Sequence, residues 1–403
     1  VTKAPASQSG SASNAKLPGK LAERGGIDPF IVMDVLRTAN EMEAKGGDIV
    51  HMEVGQPGTP APARVIEAAH AALADSNLGY TEALGVPVLR ERIAGHYSSH
   101  YGIHVPPERV IVTAGSSAGF VLAFLAILEA GGRVAIPSPG YPCYRHIVRA
   151  LGAEAVSLET DASTRWMPSP RSLSALAERE KLDALLLASP SNPTGTMLIG
   201  DTLENIVRSC EELGLWFISD EIYHGLDYDE SAKTALSFSD APIVINSFSK
   251  CFSMTGWRIG WMVVPELLVR PMERLAQNLY ICAPALSQHA AIAAFDSYDE
   301  LEANKTVYRR NRDLLLEELP KAGFTEILPA DGAFYLYADV RHLTNDSTAF
   351  ARMMLQEIGV AVTPGVDFDT ARGNKYVRFC YAGTTERMQE AAKRLNSWSR
   401  FMS

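Results

Sequence analysis

Asn246-Ser247-Phe248-Ser249-Lys250-Cys251-Phe252-Ser253-Met254-Thr255-Gly256-Trp257-Arg258-Ile259-Gly260 lies between two apolar runs, at 242–245 and 259–264. Short apolar runs bounded by polar residues read as buried strands. The link between them carries one lysine, several hydroxyls and one arginine. A buried ammonium is costly unless it is paired or neutralised. Lys250 therefore has two readings. It is an exposed residue of a connecting loop, or a lysine held uncharged for Schiff-base chemistry, with hydroxyls and Arg258 holding a phosphate beside it.

Upstream of this stretch, strands and helices alternate. The pattern predicts strands at 110–113, 133–136, 155–158, 184–188, 216–219, 243–246 and 260–264, with helices at 118–128, 172–180 and 201–213. Near-continuous apolar strands with interposed helices indicate a mostly parallel sheet covered on both faces. The expected fold is α/β, a three-layer α/β/α domain over about 60–285. After it the texture shifts to long helices at 284–295 and 298–319, then to short strands at 325–328, 334–338, 360–363 and 376–380 around a helix at 347–358. This is a smaller α+β unit formed by both chain ends, residues 17–59 and 286–403. Its N-terminal part holds a helix over 29–44, with Asp28 as N-cap and Pro29 at the first helical position, and a strand over 49–54. Residues 1–16, rich in Ser, Ala, Pro and Gly, read as a disordered tail.

The bulk numbers fit this division. A chain of 403 residues exceeds one hydrophobic core. A net charge of −10 disfavours nucleic acid and anionic membrane as main partners. The five cysteines are odd in number and none has metal-ligand spacing, so no metal site is expected. They read as the reduced thiols of a cytoplasmic protein. No apolar segment is long enough to span a bilayer.

In open α/β sheets, ligands bind beyond the carboxyl ends of the strands, and polar loops sit at several of these ends. Ala114-Gly115-Ser116-Ser117 joins a strand to a helix and aims N–H groups and hydroxyls at an anion, or is an ordinary helix cap. Ser189-Pro190-Ser191-Asn192-Pro193-Thr194-Gly195 presents Asn192 from a constrained loop, or is a structural turn in which Asn192 bonds its own backbone. Asp220, in Ser219-Asp220-Glu221-Ile222-Tyr223, ends a strand and requires a cationic partner. That partner is an arginine, or the protonated nitrogen of a heterocycle, with the Tyr223 phenol on the same side.

Together these motifs resemble the class I/II aminotransferases, which are fold-type I pyridoxal-phosphate enzymes of the aspartate aminotransferase superfamily. The resemblance runs from about Ile27 to the C-terminus and rests on the order and spacing of separate motifs. It implies pyridoxal 5'-phosphate as cofactor and a homodimer with shared active sites. Lys250 resembles the lysine of the internal aldimine, and Asp220 the partner of the pyridine nitrogen. Asn192 and Tyr223 resemble the pair that hydrogen-bonds the cofactor's phenolic oxygen. Arg258, Ser247, Ser116 and Ser117, with the backbone at Gly115, resemble the phosphate ligands. Tyr141 stands where an aromatic stacks on the ring, and Tyr80 where a tyrosine reaches the neighbouring subunit's phosphate. Gly55 matches a small residue of the substrate pocket, and Arg378 the arginine that binds the substrate α-carboxylate.

The implied activity is transfer of an amino group from an L-amino acid to a 2-oxo acid such as 2-oxoglutarate or pyruvate. Two departures bear on substrate. Residues 276–284 lack the arginine found in relatives specific for dicarboxylates, with Arg274 lying just before them. Asp369 stands where relatives often have glycine. Ile27, Phe30, Tyr80 and Ile281 suggest an apolar pocket for a neutral donor: alanine, methionine, or a branched or aromatic amino acid. The rival on the same fold is a C–S lyase, a decarboxylase or a cyclopropane-forming synthase. A cofactor-binding regulator is the rival from another class, and no basic helix-turn-helix segment supports it.

Overall fold

A computed structural model describes residues 22–75 and 77–398. The tail at 1–16 lies outside the described residues.

The larger sheet has seven strands, in the spatial order Val110–Thr113, Gly260–Val263, Ile243–Ser247, Trp216–Asp220, Ala184–Ala188, Arg133–Ser138 and Glu154–Glu159. Gly260–Val263 is antiparallel to both its neighbours, and the other pairings are parallel. Alternate residues of a strand point to opposite faces, and both faces are buried. Leu185, Leu187, Phe217 and Val244 join one core with Val65, Leu89, Ile93 and Ile206. Leu186, Ile218 and Ile245 join another with Phe120, Tyr144, Val148 and Met272. Two helical layers thus enclose the sheet, which is why its strands read as unbroken apolar runs.

The second sheet is antiparallel, in the order Thr363–Pro364, Tyr376–Cys380, Tyr335–Asp339 and Glu326–Ile327. Tyr337 faces Arg378 across it. Val50–His51 pairs in parallel with Val360–Ala361. The helix Ile31–Glu43 rests on this end of the molecule, where Ala39, Val35 and Met42 pack with Ile49, Leu355 and Ala361.

Three local expectations are corrected. The first helix begins at Ile31 and its N-cap is Phe30, which offers no side-chain bond. The Asp367 carboxylate fills that role, accepting from the N–H groups of Ile31 at 3.3 Å and Val32 at 3.2 Å, while Asp28 is exposed beside Arg149. The strand over 49–54 shrinks to Val50–His51, because the carbonyls that follow turn to side chains: Glu53 O to Arg378 and Thr363, Gly55 O to Lys250. The helix over 284–295 is α-helical only over Ala285–Ile292, with a 3-10 turn at Ala293–Asp296.

Candidate active site

Parallel strands bring their carboxyl ends to one edge of the sheet. The antiparallel strand brings its beginning there, because Gly260 pairs with both Thr113 and Ser247. The hairpin between Ile243–Ser247 and Gly260–Val263 therefore carries Lys250 and Arg258 to the same edge as Asp220, Asn192, Tyr141 and the turn after Thr113. A cleft of about 450 Å³ opens there.

One end of the cleft suits an anion. Ser116 and Ser117 begin the helix Ser116–Ile127, whose first N–H groups have no helical partner. Gly115 precedes them at φ 77°, and a Cβ there would lie 2.4 Å from Nη2 of Arg258. The missing side chain lets the guanidinium lie against the turn. Arg258 donates to the Thr255 carbonyl at 2.9 Å, and no carboxylate among the described residues pairs with it. Ser247 stands behind this wall, fully buried, donating to the Ile259 carbonyl at 3.0 Å and lying 2.9 Å from the Ser249 hydroxyl. Ser249 is the serine of this pair that lines the cleft.

Lys250 projects from the floor and donates to the Gly55 carbonyl. Burial lowers its pKa to about 8, so about a tenth of the amine is uncharged at pH 7, far more than for an exposed lysine. Asp220 is buried deeper. Its carboxylate accepts from the Tyr144 hydroxyl and, at 3.1 Å, from the Ile222 N–H. Both bonds favour the ionised form, yet desolvation outweighs them and raises the pKa to about 7.

Arg378 forms the opposite wall, 2% exposed. One Nη donates to Asn192 Oδ1 at 2.8 Å, and the other to Thr363 Oγ1 at 3.1 Å and to the Glu53 carbonyl. Its plane is sandwiched between the rings of Tyr335 at 4.5 Å and Phe368 at 4.7 Å. All of these partners are neutral, and no carboxylate among the described residues pairs with it. A guanidinium cannot shed its charge, so the site is arranged for an incoming anion. Gly55 lines the cleft because a Cβ there would meet the Tyr335 hydroxyl at 1.9 Å.

Most of the expected site residues thus surround one cavity. Tyr80 does not line it and is 84% exposed. Of the suggested apolar wall, Phe30 lines the cleft, together with Val32, Met33, Val54 and Ile222, while Ile27 and Ile281 lie exposed outside it. Arg274 is exposed and outside the cleft. Asp369 closes its own turn. It accepts from the N–H groups of Ala371 and Arg372 and pairs with the Arg372 side chain, which reaches the Ser138 carbonyl at 2.8 Å.

Sequence reading missed Tyr144, Tyr335, Thr363 and Phe368. Tyr144 was within reach, since it follows Tyr141 by one helical turn and the two rings pack edge to face. Tyr335 and Thr363 arrive from the second sheet and Phe368 from the 3-10 turn that follows its edge strand, and none carries a local signal.

The residues present fit pyridoxal phosphate. An arginine with no carboxylate partner among the described residues and a helix N-terminus suit the phosphate, a lysine of lowered pKa suits the aldehyde, and a buried carboxylate that forms no ion pair among the described residues suits a protonated ring nitrogen. Comparison with known proteins agrees. The family profile described as aminotransferase class I and II matches residues 47–395. Valine–pyruvate aminotransferase of Mycobacterium tuberculosis is 45% identical over 383 residues, which is 94% of this chain and 98% of that protein. The crystal structure of an aminotransferase from Mycobacterium tuberculosis superposes with a TM-score of 0.91 at 46% identity, covering 94% and 99% of the two chains. Aspartate aminotransferase from Thermus thermophilus with maleate superposes with a TM-score of 0.88 at 32% identity, over 94% and 99%. The chain belongs to the class I and II aminotransferases, pyridoxal-phosphate-dependent enzymes of fold type I that move an amino group between an amino acid and a 2-oxo acid.

Proposed function

We propose that the amino donor is a neutral L-amino acid (alanine, methionine, or a branched or aromatic one), and that the acceptor is a 2-oxo acid such as pyruvate or 2-oxoglutarate. One observation carries this reading. The cations lining the cleft are Lys250, Arg258 and Arg378, and all three have a use before any side-chain carboxylate arrives. Arg258 faces the anionic end, Lys250 is the amine, and Arg378 meets the α-carboxylate. Phe30, Val32, Met33, Val54 and Ile222 give the cleft an apolar lining that suits an uncharged substrate side chain. The similarity to a valine–pyruvate enzyme supports the same choice.

Bound pyridoxal phosphate supplies an aldehyde for the amino group and a ring that takes up electrons released at Cα. The chain's residues act around it. Arg378 grips the carboxylate through paired hydrogen bonds and fixes which Cα bond faces the ring. Lys250, as a neutral amine, would act as the general base that takes the proton from the substrate Cα. Asp220, when ionised, would pair with the ring nitrogen and keep it protonated. Asn192 and Tyr223 would hydrogen-bond the phenolic oxygen, Ser116, Ser117 and Arg258 would hold the phosphate with Ser249 lining the same end and Ser247 buried behind it, and Tyr141 would stack on the ring. The apolar wall keeps water from the reacting carbon. Exposed Tyr80 and Ile281 are assigned to a second copy of the chain, in a homodimer whose Tyr80 reaches the partner's phosphate.

The test is a half-reaction without acceptor. L-valine, L-alanine, L-methionine, L-phenylalanine and L-aspartate are mixed separately with the holoenzyme, and the cofactor spectrum is followed before and after adding pyruvate or 2-oxoglutarate. The neutral amino acids should convert the cofactor, with aspartate slower by about tenfold or more for want of a distal cation. Aspartate reacting as fast as valine would overturn the pocket assignment.

A further inference from the structure

Tyr335 touches three parts of the site at once. Its ring lies 4.5 Å from the Arg378 guanidinium. Its hydroxyl occupies the space that Gly55 leaves open, beside the carbonyl that accepts from Lys250. The same hydroxyl lies 2.8 Å from the Tyr223 hydroxyl. Both phenols are buried, Tyr335 at 1% and Tyr223 at 4% exposure, and the rings meet edge to face. Tyr335 belongs to the second sheet, and Tyr223 follows the central strand of the first.

Two hydroxyls share one proton in a hydrogen bond. If Tyr223 donated to Tyr335, nothing would remain for the cleft. If Tyr335 donates, the Tyr223 O–H is free to point inward, and accepting at its oxygen makes it a stronger donor. We propose that Tyr335 is a positioning residue with two separable tasks: its hydroxyl donates to Tyr223 and strengthens the bond that Tyr223 gives to the cofactor's phenolic oxygen, and its ring seats Arg378 for the substrate carboxylate. This rests on the reading of Tyr223 as the partner of that oxygen. The arrangement links the two ends of the reaction. The residue that seats the carboxylate clamp also sets how much negative charge the phenolic oxygen can bear.

A donor to an oxygen favours the form with more negative charge there and so favours loss of the nearby proton. Weakening the donor raises the pH midpoint of the lysine-bound cofactor's absorbance change. Three variants separate the tasks: Tyr335→Phe, Tyr223→Phe and the double variant. Tyr335→Phe keeps the ring and loses the hydroxyl. It should raise the midpoint by about half a unit while leaving KM for the amino donor within about twofold. Tyr223→Phe should raise it further, and the double variant should equal Tyr223→Phe alone. Tyr335→Leu, which removes the ring as well, should raise KM about tenfold. A midpoint that moves in Tyr223→Phe and stays in Tyr335→Phe overturns the proposal. A midpoint that stays in both overturns the assignment of Tyr223, and the proposal with it. Additive shifts in the double variant overturn the relay, since Tyr335 would then act without Tyr223.

Discussion

Asp220 and Arg378 are both buried charges that form no ion pair among the described residues, and they handle that condition differently. The acid sits at the floor of the cleft with two hydrogen-bond donors, and desolvation moves its pKa up to about 7. It can become neutral when nothing faces it. The guanidinium has no such escape. It is surrounded by carbonyl, amide and hydroxyl acceptors and by two aromatic faces. One site adapts its charge to its occupant, and the other keeps its charge and must be held ready by neutral neighbours. The first is a place for a resident cofactor, the second for a substrate that comes and goes.

That contrast can be broken from either side. The largest loss is expected for Asp220→Asn. Without an ionised partner the ring nitrogen loses its proton, and kcat should fall by about a thousandfold or more, equivalent to roughly 4 kcal/mol. Steady-state kinetics with saturating cofactor checks this. Arg378→Lys should lose about a hundredfold in kcat/KM, carried mainly by KM, because an ammonium cannot make the paired bonds or lie flat between Tyr335 and Phe368. An Arg378→Lys variant with unchanged KM would remove Arg378 from the carboxylate site.

Stability of the cofactor-free enzyme sharpens the comparison. An acid whose folded pKa is raised from about 3.9 to about 7 binds more protons folded than unfolded between those values, so its contribution is present below about pH 4 and is lost as pH rises through 7. The loss is on the order of 3 kcal/mol, and it should be absent in Asp220→Asn. Urea titrations of both cofactor-free proteins at pH 4.5 and pH 8 measure it. A gap that does not grow with pH would mean that water reaches the Asp220 carboxylate. Lys250, lowered to about 8 by burial, gives the matching kinetic signature: cofactor capture by the free enzyme should quicken as pH rises through about 8 and then level off. The smallest effect belongs to Thr363→Val, which removes one neutral bond to Arg378. It should cost about tenfold in KM or less, in line with a net bond of roughly 1 kcal/mol.

Sequence showed much of the resident-cofactor side and less of the clamp, for a physical reason. Asp220, Asn192 and Lys250 each stand just past an apolar strand, and a parallel sheet gathers such ends at one edge whatever else the chain does. Their neighbourhood follows from local pattern. Arg378 also ends in the site, but its seat is assembled from Glu53, Asn192, Thr363, Tyr335 and Phe368, which are far apart in the chain. Nothing local in these segments announces that they meet. The cap of the first helix makes the same point. Asp28-Pro29 is a strong local start signal, yet Asp367 supplies the acceptor from more than three hundred residues away. Local propensity yields where a tertiary partner offers the same bond in a better position.

The hairpin that carries Lys250 and Arg258 has a consequence for which lengths of chain can change. Ser247 faces Gly260 across it, and the strands on either side are buried on both faces. A slip of one residue would send every side chain of a strand to the opposite face. An insertion or deletion between 248 and 259 therefore cannot be taken up by sliding the strands, and it would change the span between the amine and the guanidinium directly. The span from aldehyde carbon to phosphate in the cofactor is fixed by its covalent bonds. This connecting loop thus acts as a ruler for the ligand, and its length is as much part of recognition as any residue on it.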